Sequence, residues 1–223
     1  MNTSPTIAIL GGTGAEGSGL ARRFAHGGAR VLIGSRDAQR SRDAAARIHP
    51  SVTGLLNSEA VEQAEIVILA VPIQAQIATL KSVRQNFKPG TMLVDASVPL
   101  EIAIGGRLSH PLALWAGSAA EQAARNVPAG VAVVSAFHLL SADLLSRVDT
   151  PLDSDVPICG DDAGAKAAVT ELVGLLPGAR AIDAGPLENA RLIENAAALL
   201  VSLNLRYKSK QGGIRITGLK LEN

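Results

Sequence analysis

Aromatic side chains are scarce in this chain: three phenylalanines, one tyrosine and one tryptophan among 223 residues. That excludes the stacked-ring platforms on which single-stranded nucleic acids lie, so a flat ligand must be held by aliphatic walls and backbone. Charge of one sign is missing too. Lys and Arg number 21 against 20 Asp and Glu, a net of +1, which argues against wholesale nucleic-acid binding. The single cysteine, Cys159, can build neither an internal disulfide framework nor a cysteine-based metal site, and it fits a reducing compartment. His26, His49 and His110 are not spaced with other ligand types, so no metal is expected. No apolar run reaches the length of a membrane span, and 1–5 is polar without the basic region of a signal peptide. These absences point to a cytoplasmic protein that handles small molecules, with no nucleic-acid or membrane partner.

What is present is concentrated in 6–40, TIAILGGTGAEGSGLARRFAHGGARVLIGSRDAQR. The apolar, partly β-branched run 6–10 predicts a strand buried on both faces of a parallel sheet. It leads into Gly12-Thr13-Gly14-Ala15-Glu16-Gly17, and a Gly-x-Gly-x-x-Gly that follows a strand and opens a helix is the context a dinucleotide site requires. In that reading Gly12 permits the tight turn, Gly14 lets backbone approach a pyrophosphate, and Gly17 lets helix and strand pack closely. Free amides from Ala15 onward face the phosphates with the positive end of the helix dipole behind them. The helix is expected over 18–26, with Gly27-Gly28 as its stop, and a second strand over 29–33. An NAD site places an acid at the end of that strand to hold the ribose, whereas this chain reads Gly34-Ser35-Arg36. Arg36 offers a donor fork to a 2'-phosphate, Ser35 a hydroxyl, Arg40 a second cation one turn on, and Thr13 a further hydroxyl, which together favour NADP. Asp37 is placed as the cap of the next helix.

The remaining chain repeats strand and helix. The apolar strand 65–71 ends in Ala70-Val71-Pro72, which should line the floor under the cofactor, because ligands in doubly wound sheets lie outside the carboxyl ends of the strands. Strand 91–95 closes with Asp95 at the same edge; no carboxylate or histidine lies near it in sequence, so a local turn role is expected. Residues 101–116 show no clear periodicity and read as a loop or flap. Ser118-Ala119-Ala120-Glu121 has the capping-box pattern. His138, after the strand 131–137, is the one general-acid candidate, without a recognisable partner. A connection at 150–155 precedes a shorter α/β stretch capped by Asp161 or Asp162, then a long helix over 188–207 with apolar residues at Leu192, Ile193, Ala196, Leu199, Leu200 and Leu203. That face makes a homodimer the expectation. The fold class is therefore α/β: a Rossmann-type doubly wound parallel sheet with a smaller C-terminal α/β unit. Residues 1–149 would form the NADP-binding domain and 150–223 a smaller domain closing the cofactor cleft. The tail carries Arg206, Lys208, Lys210, Arg215 and Lys220 and no acid before Glu222.

With these residues in place, the chain resembles the NADPH-dependent reductases of the deazaflavin coenzyme F420. The resemblance rests on Gly11-Gly12-Thr13-Gly14, Ser35-Arg36 with Arg40, the run Val133 to His138, Cys159-Gly160-Asp161-Asp162, Asp183-Ala184-Gly185-Pro186-Leu187 and Gly213-Ile214-Arg215. It implies NADP(H) at the Rossmann edge with the deazaflavin stacked on the nicotinamide, and hydride transfer between two cofactors that needs orientation and dryness more than side-chain chemistry. By position in the family, Leu140 and Ala142 would abut the rings, Val98 and Pro99 would form another wall, and Gly212 and Gly213 would bring backbone near the ligand. The basic tail suits the acidic side chain of that coenzyme. Leu139-Leu140-Ser141 departs from the threonine, isoleucine and proline of the archaeal members. Two alternatives stay open: an NADPH-dependent reductase of another acceptor, such as a flavin, imine or carbonyl, and a non-catalytic NADPH sensor.

Overall fold

The computed structural model describes residues 5–220; the polar start 1–4 and Glu222, both used above, lie outside them. Eight strands form one sheet in the order β3-β2-β1-β4-β5-β6-β7-β8. They are β1 Thr6–Leu10, β2 Arg30–Ser35, β3 Thr53–Leu56, β4 Ile66–Leu69, β5 Met92–Asp95, β6 Val133–Ser135, β7 Ser154–Gly160 and β8 Ala179–Asp183. All neighbours run parallel except β6 and β7, which meet antiparallel at Val134↔Gly160 and Ser135↔Cys159. The sheet is thus continuous across residue 150, with β7 and β8 extending its edge.

Alternation along the strands divides the core. Ile7 and Ile9 point into one layer with Leu20, Phe24 and Ile33, while Ala8 and Leu10 point into the other with Leu32, Val67 and Leu80; successive strand residues face opposite sides. Helices α1 Ala15–His26, α2 Ala38–Ile48, α6 Ala142–Ser146 and α7 Ala163–Gly174 supply the first layer. The second is built on α3 Asn57–Gln63, α4 Ile73–Val83, α5 Ala119–Ala124 and the start of α8 Ala190–Arg206. Two-sided burial explains why β1 and β4 are unbroken apolar runs.

Several boundaries differ from the sequence expectation. Helix α1 begins at Ala15 rather than 18, and β2 runs to Ser35, carrying it to the sheet edge. The segment 101–116 is not featureless: a 3-10 turn over Glu101–Ile104 and a bridge between Leu100 and Pro111 fold it back on itself. Along α8 the apolar residues divide between two faces. Leu200 is buried, whereas Leu192, Leu199 and Leu203 are exposed.

Two buried charges tie the elements together. Arg23 of α1 donates to the carbonyls of Leu144, Leu145, Arg147 and Thr150, at 2.6 to 3.2 Å, closing the end of α6. Asp155 of β7 accepts a fork from Arg180 at 2.8 Å for both bonds, a third bond from Arg215 at 3.0 Å and the amide of Ile216 at 2.6 Å. These bonds hold its carboxyl at about 2, below the usual carboxylate range, and they pin the tail against β7, where Ile214 packs on Leu139, Ala197 and Leu200. Because this pKa is depressed on folding, the stabilisation is present above the ordinary Asp pKa of about 4 and is lost as pH falls through about 2. Asp155→Asn is expected to lower stability by about 1–3 kcal/mol at pH 7. In denaturant titrations the gap from wild type should close between about pH 4 and 2.

Candidate functional site

The strand ends gather two clefts around the loop 11–16. Gly11 holds the sharp turn: its φ is +88°, and a Cβ there would collide with the carbonyl of Ala70. The turn position is therefore Gly11 and not Gly12, which instead lies against β2, where a Cβ would stand 2.6 Å from Ile33 Cβ. Gly14 donates to Gly11 O at 2.9 Å and precedes α1 as its N-cap. A Cβ at Gly17 would come within 2.5 Å of Gly11 O, so the helix seats directly on the loop. No side chain caps α1, which leaves its first amides facing outward beside the exposed Gly14 and Ala15.

The first cleft, of about 560 Å³, brings together Thr13, Gly14, Ser35, Arg36, Arg40, Ala70, Val71 and Pro72. Arg36 and Arg40 are exposed and form no ion pair among the described residues. Asp37, the nearby acid, is occupied as the cap of α2, accepting from Gln39 and Arg40 at 2.8 and 3.1 Å. Unpaired guanidinium groups beside uncapped helix amides form a cradle for phosphate, so the residues fit a dinucleotide with an extra phosphate on its ribose. Asn57, which the sequence reading passed over, also lines this cleft with a buried Oδ1 that has no partner among the described residues.

The second cleft, of about 450 Å³, lies on the other side of the same loop and is lined by Glu16, Val98, His138, Leu140, Ala142 and Gly212, with Leu100, Ala197, Leu200, Asn204 and Lys210. Pro99 is buried behind it, its carbonyl accepting from Leu112 at 2.9 Å to hold the 101–116 segment. Gly213 is exposed beyond it, packed where a side chain would meet Ser154. The tail is held here by Ser141 Oγ donating to Lys210 O and by the amide of Gly212 donating to Asn204 Oδ1 at 3.0 Å. The apolar part of the wall is aliphatic, as a chain poor in aromatics requires. His138 is aimed by Phe137, whose φ of +75° is unusual for a side chain of that size; the ring is fixed edge-on against Phe24 at 5.9 Å. Such strain, about 1–3 kcal/mol, persists where the surroundings over-determine it.

Beneath the second cleft lies a group the sequence did not reveal. One ligand atom from each of Asp95, His138 and Glu194 lies within 4.8 Å of the others, and all three residues are buried. Asp95 Oδ1 accepts from Gln76 at 2.9 Å and Ser97 at 3.0 Å. The Ser97 bond is the local turn contact expected for Asp95, but the Gln76 bond and the neighbouring acid come from distant elements. Glu194 accepts from the amides of Ala119 and Ala120, capping α5. Asp95 Oδ2 and both ring nitrogens of His138 have no partner among the described residues. Burial, then the Glu194 charge, pushes Asp95 up to about 8; burial pushes Glu194 to about 7 and lowers His138 to about 4. Glu16, only half-buried as a residue but with Oε1 sealed off, rises to about 8 through burial and then the Asp95 charge. Glu194 was missed, although it left a signal: it stands on the inward face of α8 with Ala190, Ala197 and Ala198, an acid in an apolar register.

A doubly wound sheet whose first turn is a glycine cradle, with an arginine pair at the end of β2 and a second apolar cleft across the loop, defines a dinucleotide-binding oxidoreductase. Residues 6–99 match the family model described as NADP oxidoreductase coenzyme F420-dependent. The F420-dependent NADP reductase of Methanothermobacter marburgensis is 45% identical over 221 residues, covering 96% of this chain and 98% of that protein. That of Methanocaldococcus jannaschii is 40% identical, covering 96% and 99%. A crystal structure from Arthrobacter sp. FB24, of a candidate F420-dependent NADP reductase, superposes with a TM-score of 0.82 at 27% identity, covering 96% and 100%. The chain belongs to the family of F420-dependent NADP reductases.

A carboxyl whose pKa is raised from 3.8 to about 8 on folding contributes stability that is fully present below the lower value and is lost as pH rises through the upper one. Asp95→Asn keeps an oxygen for Gln76 and cannot ionise. Its melting temperature relative to wild type should therefore climb between pH 5 and about 8 and level off above; a difference independent of pH would contradict the buried, protonated state of Asp95.

Proposed function

We propose that this protein transfers hydride reversibly between NADPH and the deazaflavin coenzyme F420. The observation that carries the reading is the pair of clefts sharing the loop 11–16. In this reading the first cleft takes NADPH, with the 2'-phosphate on Ser35, Arg36, Arg40 and Thr13 and the pyrophosphate on the free amides from Ala15 onward. The floor at Ala70, Val71 and Pro72 carries the dinucleotide towards the sheet centre. The second cleft takes the acceptor between Val98 and Pro99 on one side and Leu140 and Ala142 on the other, with Gly212 and Gly213 as backbone walls and the tail cations outside. When bound, the two cofactors supply the redox chemistry themselves. The chain holds them in register, excludes water with aliphatic walls and provides the field of the helix terminus. The 150–223 stretch closes the acceptor side, since Lys210, Gly212 and α8 residues belong to it.

The placement of the protein in the cytoplasm is supported by its reducing-compartment composition, and among the described residues no helix is long and apolar enough to cross a membrane. A homodimer is supported by the exposed Leu192, Leu199 and Leu203 on α8, which a second copy would cover.

Mixing the protein with NADPH and oxidised coenzyme should bleach the deazaflavin's visible absorbance, while NADH or a free flavin in place of its partner should support little change. In the same assay Arg36→Ala should weaken NADPH by about ten- to a hundredfold with NADH nearly unaffected. Equal losses for the two nucleotides would remove Arg36 from the 2'-phosphate site.

A further inference from the structure

The trio beneath the acceptor cleft has no part in the hydride transfer described above. Its residues come from three separate places: Asp95 from the end of β5, His138 from the turn after β6 and Glu194 from the second turn of α8. Two carboxyl groups and an imidazole, all buried and with reacting atoms within 4.8 Å of each other, cannot all carry their solution charges, because neither acid has a lysine or arginine bonded to it among the described residues. Like charges sharing one dry site retain a proton. The remaining groups facing the trio do not remove it. Gln76 of α4 and Ser97 donate to Asp95; the amides of Ala119 and Ala120 donate to Glu194. The Ser135 hydroxyl, in register with Asp95, has no partner among the described residues. Glu16 of α1 lies beside Asp95 and is itself pushed up to about 8 by burial, Glu121 and Arg191 act on Glu194 with opposite signs, and the buried Cys159 thiol of β7 is pushed up to about 11, so it stays neutral.

Resting on the hydride-transfer reading, we propose that Asp95 and Glu194 hold one proton between them and that His138, which lines the acceptor cleft, conducts it between this pair and the acceptor. The balance of the reaction demands such a proton. Hydride leaving NADPH moves two electrons and one hydrogen, and the neutral two-electron-reduced acceptor contains one hydrogen more. His138 releases the proton on one ring nitrogen to the acceptor and takes, at its other nitrogen, the proton held by Asp95 and Glu194. The imidazole is neutral before and after, as its burial requires. Before the next turnover the acid pair, left doubly charged, regains a proton from solvent and the imidazole returns to its starting tautomer by a flip of the ring; in the opposite direction each step reverses. The pair is fully protonated below about pH 7, holds one proton between about pH 7 and 8, and empties above. Reduction of the acceptor therefore slows across that interval while the reverse reaction quickens.

The test begins on the wild-type protein without cofactors, by infrared spectroscopy over pH 6 to 9. A carbonyl stretch of a protonated carboxylic acid should be present at the acid end, fade across the same interval, survive Glu16→Gln and weaken to the band of a single remaining acid in Glu194→Gln and in Asp95→Asn. With NADPH binding retained, Glu194→Gln should reduce the deazaflavin about ten- to a hundredfold more slowly, with a flattened pH profile. Absence of the wild-type band would overturn the proposal, as would a band whose weakening leaves rate and pH profile unchanged. So would a stoichiometric divalent cation, zinc or manganese, retained by wild type and released by Glu194→Gln. A protein that shows the band yet reduces no deazaflavin keeps the proton store and loses the acceptor assigned above.

Discussion

Between Gly11 and the carbonyl of Ala70 there is no room for a side chain. That contact lies where β1 and β4, paired along their length, reach the edge of the sheet, and it seats the loop directly on the end of β4. With the turn closed at Gly11, Gly12 lies on Ile33 and Gly17 returns to Gly11, so α1 starts at the sheet edge with its amides turned outwards. The same loop then separates two clefts: Thr13 and Gly14 line one, and Glu16 lines the other. Any larger residue at Gly11 would push β4 away from the loop and separate the two ligand positions.

The interior beneath the loop pays for this geometry with buried polar groups. Asp95 at the end of β5 and Glu194 on α8 both face inwards, each satisfied in part by donors from other elements. Their burial favours the neutral forms, which stabilises the fold less as pH rises. Placing such groups under a cleft, with a strained Phe137 aiming the intervening histidine, is the kind of local cost that persists where chemistry needs it.

The fold was largely legible in the sequence. Apolar five-residue runs, glycine turns and helical spacing repeat along the first half of the chain, and each is a local signal. Ser35 and Arg36 could be read because they stand where β2 ends, and Asp37 and Ser118 because a cap sits beside its helix. Three features escaped for a common reason. Asp95 and Glu194 are 99 positions apart and meet only through the packing of α8 on the sheet, so no local pattern joins them. Gln76 was hidden in an apolar helix face between Ile73 and Leu80. The antiparallel step from β6 to β7, which makes one sheet of eight strands, depends on the path of the chain through 136–153 rather than on any strand's own residues.

Direct passage of hydride between molecules seated in the two clefts is the claim on which the account depends. The most direct measurement uses NADPH carrying deuterium at the transferable position of the nicotinamide, with protein and oxidised deazaflavin in ordinary water. Transfer across a dry junction at the loop 11–16 predicts that the label appears on the reduced deazaflavin carbon without loss to solvent. Label found in water, or a reduced deazaflavin carrying ordinary hydrogen from solvent at that carbon, would contradict it.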